Sequence, residues 1–144
     1  MNKDVVLTLI GEQTDEDNNK NVQETKEFGM HFVKNDYHYV MIENEKTAQT
    51  ARYKFNHRSL EIVRNGDLSS KLHFETGRRY DTIYKTPYGR MELGFETSRY
   101  SMDVMPNRIE ISLLYTIFSG EQIVSKNKTT VIIQNAETAA CSET

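Results

Sequence analysis

Polarity along this chain alternates with a period of two, and that pattern constrains the fold more than any other feature of the sequence. Within Arg108–Phe118, Ile109, Ile111, Leu113, Tyr115 and Ile117 share one parity, while Glu110, Ser112 and Thr116 occupy the other. Side chains of a β-strand point alternately to opposite faces, so this run describes a strand with one buried face. Met91, Leu93 and Phe95 alternate in the same way with Arg90, Glu92, Gly94 and Glu96. No segment carries a convincing helical period, and no internal repeat stands out.

Turn residues punctuate the alternating runs at hairpin spacing: Asn35-Asp36, Asn65-Gly66-Asp67, Glu75-Thr76-Gly77, Pro87-Tyr88-Gly89, Pro106-Asn107 and Ser119-Gly120. Proline presets one turn position, and glycine accepts a positive φ at another. The expected strands cover about 4–12, 24–34, 37–43, 48–55, 59–64, 68–74, 78–86, 90–98, 100–118 with a break at Pro106, and 122–134. Short strands joined by such turns, without helices between them, give an all-β antiparallel sandwich or barrel. The apolar parity is odd from Met91 to Phe95 and even from Tyr100 to Val104, which calls for a β-bulge near Ser98-Arg99. The polar stretch Glu12–Asn21 is expected to be a mobile loop. Residues 1–134 are expected to form the barrel domain and residues 135–144 a flexible C-terminal tail.

Composition narrows the function classes. The 144 residues suit one domain, and eight Tyr with six Phe argue against disorder. A net charge of −3 is a poor basis for nucleic-acid binding, which draws its affinity from Lys and Arg on phosphates. The single cysteine, Cys141, can make no internal disulfide. Met1-Asn2-Lys3-Asp4 and the six-residue apolar run after it lack the flanks of a signal peptide, and no stretch approaches a membrane span. A cytoplasmic protein that engages neither nucleic acid nor membrane is expected, with monomer and homodimer both open.

No catalytic constellation is legible, so neither catalytic residues nor a cofactor is expected. His31, His38, His57 and His73 fall on separate segments without a pair or cluster at metal-ligand spacing, so no metal site is expected. There is no nucleophile elbow and no phosphate-cradling glycine loop. Gly29 and Gly94 interrupt strands, where a bulge or a close backbone approach is the ordinary meaning. Glu92 and Glu96 lie opposite the apolar parity and are expected to face water, where catalytic carboxylates lack shielding.

Two groups of residues remain as candidates. Lys71, His73, Arg79, Lys85 and Arg90 take the outward parity on adjoining hairpins. A three-residue loop at Glu75–Gly77 would set His73 opposite Arg79 and Lys71 opposite Asp81. A two-residue loop at Pro87-Tyr88 would set Arg79 opposite Glu96 and Lys85 opposite Arg90. Carboxylates thus neutralise part of this face, leaving Arg79, Lys85 and Arg90 as an alternative interaction surface. The second group is inward: Thr82 and Tyr84 on one strand, Tyr115 within an aliphatic row, and Arg64 continuing the parity of Leu60 and Ile62. In a filled barrel these are core or rim residues, and in a hollow one they orient a ligand. A filled or nearly filled interior is the expected state. The two-residue loop is preferred over a three-residue one because it sets Tyr84 beside Met91 and Tyr80 beside Phe95, whereas a one-residue shift would turn Tyr84 outward.

The order and spacing of several short motifs resemble the YwiB-like family of bacterial proteins of unknown function. They are Leu60-Glu61-Ile62-Val63-Arg64-Asn65-Gly66, Leu72-His73-Phe74, Tyr84-Lys85-Thr86-Pro87-Tyr88-Gly89-Arg90-Met91-Glu92-Leu93 with Thr97 beyond it, Leu114-Tyr115, and the returning strand Ile123–Ile133. The resemblance runs from about Val5 to Gln134. It implies a single antiparallel up-and-down β-barrel of about 8–10 strands, calycin-type and lipocalin-like, and it transfers no catalytic residue. Barrels of this kind often hold a small apolar or amphipathic molecule, here expected to touch Tyr84, Tyr115, Thr82 and Arg64. The alternative is an interaction or assembly module acting through an edge strand or the outer basic face.

Overall fold

A computed structural model describes residues 3–136, and every named element in it is a strand. The ten strands are β1 (Lys3–Asp15), β2 (Lys20–Lys34), β3 (Tyr37–Asn44), β4 (Gln49–Phe55), β5 (Ser59–Asn65), β6 (Ser70–Glu75), β7 (Arg79–Thr86), β8 (Gly89–Met105), β9 (Arg108–Ser119) and β10 (Gln122–Asn135). They form one antiparallel sheet in the order β6-β5-β4-β3-β2-β1-β10-β9-β8-β7. Each strand follows its sequence neighbour except where β1 pairs with β10, which joins the two halves of the meander. The sheet curls into a nearly closed up-and-down barrel, consistent with a calycin-like architecture.

Alternation in the sequence becomes inside and outside in the fold. Ile109, Ile111 and Leu113 are buried, as are Val131 and Ile133 beside them on β10. Leu60, Ile62, Leu72 and Phe74 close the core from β5 and β6. Each fully buried aliphatic or aromatic side chain of this kind contributes roughly 1.5–3 kcal/mol relative to exposure. The change of parity in β8 is resolved as expected: the register shifts between Thr97 and Arg99, so Ser98 is the bulged residue. Its hydroxyl donates to the Leu114 carbonyl at 3.1 Å. A second bulge, at Val124 in β10, was not expected.

The hairpin of β7 and β8 takes the two-residue turn Pro87-Tyr88, with Tyr84 opposite Met91, Tyr80 opposite Phe95, Arg79 opposite Glu96 and Lys85 opposite Arg90. Gly29 and Gly94 are both points of close approach. A Cβ on Gly29 would lie 2.8 Å from the Met41 carbonyl oxygen, and one on Gly94 would lie 2.6 Å from Arg79 Nη2.

Two expectations are corrected. Glu12–Asn21 is mostly strand: β1 runs to Asp15 and β2 starts at Lys20, leaving a four-residue turn. Turn chemistry does here what apolar anchoring was expected to do. Asp15 Oδ1 accepts from the amides of Asp17 and Asn19 at 2.9 Å, Asn18 adopts a φ of 62°, and Lys20 ion-pairs with Glu12. The second correction concerns β6 and β7, which were expected to pair as a hairpin ladder. They are the two ends of the sheet and meet in a single bridge, Ser69 with Lys85. The loop between them is drawn toward β8 instead, because the Gly77 amide donates to the Thr97 carbonyl at 2.8 Å and the Thr97 amide to the Arg78 carbonyl at 3.0 Å. Of the expected tail, Asn135 closes β10, and residues 137–144, including Cys141, lie outside the described residues.

Candidate functional site

The inward faces of β5 to β10 and of β1 and β2 surround a cavity of ≈260 Å³. Beside the preferred reading of a filled or nearly filled interior, the structure has a tightly buried core with this space opening at one end of the barrel. A water occupies roughly 30 Å³ of liquid, so this space exceeds what one or two waters fill. Its wall is apolar where the core side chains converge, chiefly Ile62, Leu72, Phe74, Phe95 and Leu113. The aromatic part is a packed cluster: Phe74 meets Tyr115 at 4.9 Å between ring centroids and Phe95 edge-on at 6.0 Å, while Tyr84 stacks on Phe95 at 6.1 Å.

The mouth is polar and wide for a sequence reason. Gly11, Gln23 and Thr25 hold inward positions where Leu7 and Leu9 stand one or two steps deeper on β1. A Cβ at Gly11 would meet nothing within 4 Å, so no side chain closes the opening there. Gln23 and Thr25 are exposed despite their inward parity, because β3 joins β2 only from Met30 onward.

Arg64, Tyr84 and Tyr115, three of the four inward candidates, line this cavity together. Arg64 Nη2 donates to the Tyr53 hydroxyl at 3.4 Å, and Tyr115 shares a hydrogen bond with Thr129 Oγ1 at 3.2 Å. Burial pushes the Tyr53, Tyr84 and Tyr115 hydroxyls up from their usual range, and the Arg64 cation opposes that rise at all three. At neutral pH the phenols are therefore protonated donors. Thr82, the fourth candidate, does not line the cavity. Its hydroxyl donates to the Lys71 carbonyl at 2.7 Å across the gap between β6 and β7. Its parity matches that of Tyr84, but the splaying of β7 from β6 draws its hydroxyl into the seam.

The outer basic group is distributed differently. Arg79 is held by Asp81 at 3.0 Å, by the Gly120 carbonyl at 2.7 Å and over the Phe118 ring at 4.7 Å. These contacts use two of its five N–H donors and one face of the guanidinium. Lys85 and Arg90 are exposed neighbours on the hairpin. A depression of ≈430 Å³ lies beside Arg79, larger than the barrel cavity, but Asp81 and Arg79 in its wall already satisfy one another. With Arg79 paired to Asp81 and Glu92 also in the wall, the depression carries no excess positive charge.

One constellation escaped the sequence reading. His31 and His38, expected to stand apart, meet across the β2–β3 hairpin with Nε2 and Nδ1 2.9 Å apart and the rings nearly parallel. The signal was available: seven residues separate them around the Asn35-Asp36 turn, where both φ values are positive. Burial holds both imidazoles below their usual pKa; His38 and Lys3 add to the effect on His31, and His57 to that on His38. Among the described residues no group of three or more His, Cys, Asp or Glu is placed to hold a metal ion. Glu92 and Glu96 are exposed, as expected.

Among the described residues no helix is long and apolar enough to cross a membrane. No curated protein matches the chain. Residues 7–131 match the family described as Domain of unknown function (DUF1934). The fold is similar to that in a solved structure titled "Crystal structure of ywiB protein from Bacillus subtilis", with a TM-score of 0.81, 20% identity, and coverage of 94% of this chain and 93% of that one. At that identity the likeness concerns the fold alone.

Proposed function

This chain belongs to the YwiB-like family, DUF1934, a domain of unknown function, and we propose that it is a nonenzymatic barrel that binds a small amphipathic molecule. The observation that carries this reading is the cavity, apolar and aromatic in its depth and polar at Arg64, Tyr84 and Tyr115. Ligand sites are commonly concave and apolar, with a few polar groups that fix orientation. The cytoplasmic compartment expected from the sequence belongs to the same proposal.

Native mass spectrometry of freshly purified protein tests it, together with the variant Gly11→Leu. A Cβ at this position meets nothing within 4 Å, so a larger side chain there has room to start from and should narrow the opening. A small nonpeptidic mass retained by the parent and lost from the variant supports the reading. A parent that carries no ligand and takes up none from a panel of hydrophobic small molecules sinks it.

A second reading, assembly through an edge strand, is favoured by one observation. From Lys20 to Phe28, β2 has β1 as its only ladder partner among the described residues, and Val22 and Phe28 there are 60% and 77% exposed. An unpaired strand edge with apolar side chains invites another strand. Analytical ultracentrifugation of the parent and of Val22→Lys/Phe28→Lys tests it. A parent that sediments as a monomer at all concentrations and captures no partner removes the reading.

A further inference from the structure

We infer that the cavity selects a ligand with a single negatively charged end, a carboxylate or an equivalent monoanionic group, that pairs with Arg64. The inference rests on the ligand-binding reading above and names the chemistry that site accepts.

Charge in the cavity runs against charge in the chain. The protein as a whole carries −3, yet Arg64 is the only formally charged residue among those lining the cavity, and no Asp or Glu joins it. Elsewhere arginines hold carboxylates: Arg52 with Glu61 at 3.0 Å, Arg79 with Asp81 at 3.0 Å, Arg108 with Glu110 at 3.3 Å. Among the described residues Arg64 has no such partner within 4.0 Å. Its one hydrogen bond, to the Tyr53 hydroxyl, is long at 3.4 Å. A guanidinium carries five N–H donors, so most of its capacity points at the site unspent.

The neighbours do not supply the missing charge. Tyr53, Tyr84 and Tyr115 are protonated at neutral pH and therefore neutral donors. The Tyr84 hydroxyl has no hydrogen-bond partner among the described residues and adds a second open donor beside Arg64. Glu27, whose charge reaches Tyr53, is exposed and forms no ion pair with Arg64. A half-buried cation without a counterion is costly, and a bound anion removes that cost. The planar fork of a guanidinium matches the two oxygens of a carboxylate, which makes that group the best complement. A ligand with a neutral polar end would use the donors but leave the charge uncompensated, and a cationic end would be repelled.

Size limits the rest of the molecule. A space of ≈260 Å³ is smaller than the ~300–1,000 Å³ of sites for drug-sized ligands. It takes a short body, such as an eight-carbon chain or a single phenyl ring on a short linker, laid against Phe74 and Phe95.

Isothermal titration calorimetry at pH 7.5 with octanoate, 1-octanol and octylammonium separates charge from chain. The parent should bind octanoate at least tenfold more tightly than 1-octanol and octylammonium least of all. Arg64→Met should abolish the gap between octanoate and 1-octanol, because it weakens octanoate at least tenfold more than it weakens 1-octanol. Arg64→Lys, which keeps the charge without the fork, should retain part of the preference and serves if the methionine variant does not fold. Equal affinity of the parent for octanoate and 1-octanol would overturn the anionic specificity and leave the cavity reading standing. So would an octanoate preference that survives in the folded methionine variant. If no probe binds the parent, and Gly11→Leu changes nothing, the cavity reading itself fails and takes this inference with it.

Discussion

The Thr82 hydroxyl donates to the Lys71 carbonyl at 2.7 Å, spanning the one gap in the barrel that no strand ladder closes. β6 and β7 follow one another in the chain, yet they are the two free ends of the sheet. Besides this bond, the gap is held by the Ser69–Lys85 bridge and by the tilted contact of His73 with Tyr80 at 6.0 Å.

Replacing Thr82 with valine should therefore loosen the seam selectively. The shape of the side chain is kept and the hydroxyl is lost, at a cost of about 0.5–1.5 kcal/mol. Hydrogen exchange should speed up in β6 and β7 and stay unchanged in β1 and β10. Uniform acceleration across the sheet would contradict this role.

Tyr100 fastens a second point. Its hydroxyl donates to the Asn56 carbonyl at 2.6 Å, and its amide donates to Thr76 Oγ1 at 3.0 Å, so β8 holds the loops at 56–58 and 76–78 together. Burial pushes this phenol well above its usual range, in keeping with a donor that never ionises. Tyr100→Phe should lower stability by about 1–2 kcal/mol in urea unfolding, with the m-value unchanged, because it leaves a carbonyl unpaired.

The His31–His38 pair predicts a pH dependence of stability with a definite sign. Both groups have folded pKa values below the unfolded value of 6.5, so the unfolded chain binds more protons as the pH falls through that range. Their contribution is complete above pH 6.5 and is lost progressively as the pH falls toward the lowered folded values. Denaturant unfolding between pH 8 and pH 5 should show this fall, and His38→Gln should flatten it. A profile for the variant that parallels the parent would assign the slope to other groups.

Gly29 offers a test of close packing between strands. A Cβ there would stand 2.8 Å from the Met41 carbonyl oxygen and 2.9 Å from Ile42 Cγ1. Backbone cannot yield as a flexible side chain can, so Gly29→Ala should destabilise by about 1–3 kcal/mol. Gly11→Ala meets nothing and should be neutral within about 0.5 kcal/mol by the same measurement.

Much of the architecture was legible before any coordinate. The inward residues along the middle of β8 and β9, the bulge at Ser98, and the β7–β8 register with its two-residue turn all follow from alternation and turn chemistry, although Met91 and Val104, of the same apolar parities, are exposed near the strand ends. Alternation and turn chemistry are local properties of a few consecutive residues. The hairpin at Asp15–Lys20 was misread because polar side chains closed a turn that was expected to need apolar anchoring. The seam was misread because sequence adjacency normally means pairing, and here the loop between β6 and β7 bonds to Thr97 instead. Arg64, Tyr84 and Tyr115 carried the right parity, but Thr82 carried it too and points its hydroxyl into the seam.

The order of polar and apolar residues, with the turns between them, determined that this chain makes an antiparallel meander with one buried face. Those choices depend on neighbours a few residues away, and side-chain direction in a strand leaves them little freedom. Tertiary structure alone decided where the sheet parts, that its interior keeps an open space, and that one arginine lies at that space without a carboxylate. These outcomes depend on how strands distant in sequence share volume and hydrogen bonds, which no local pattern encodes.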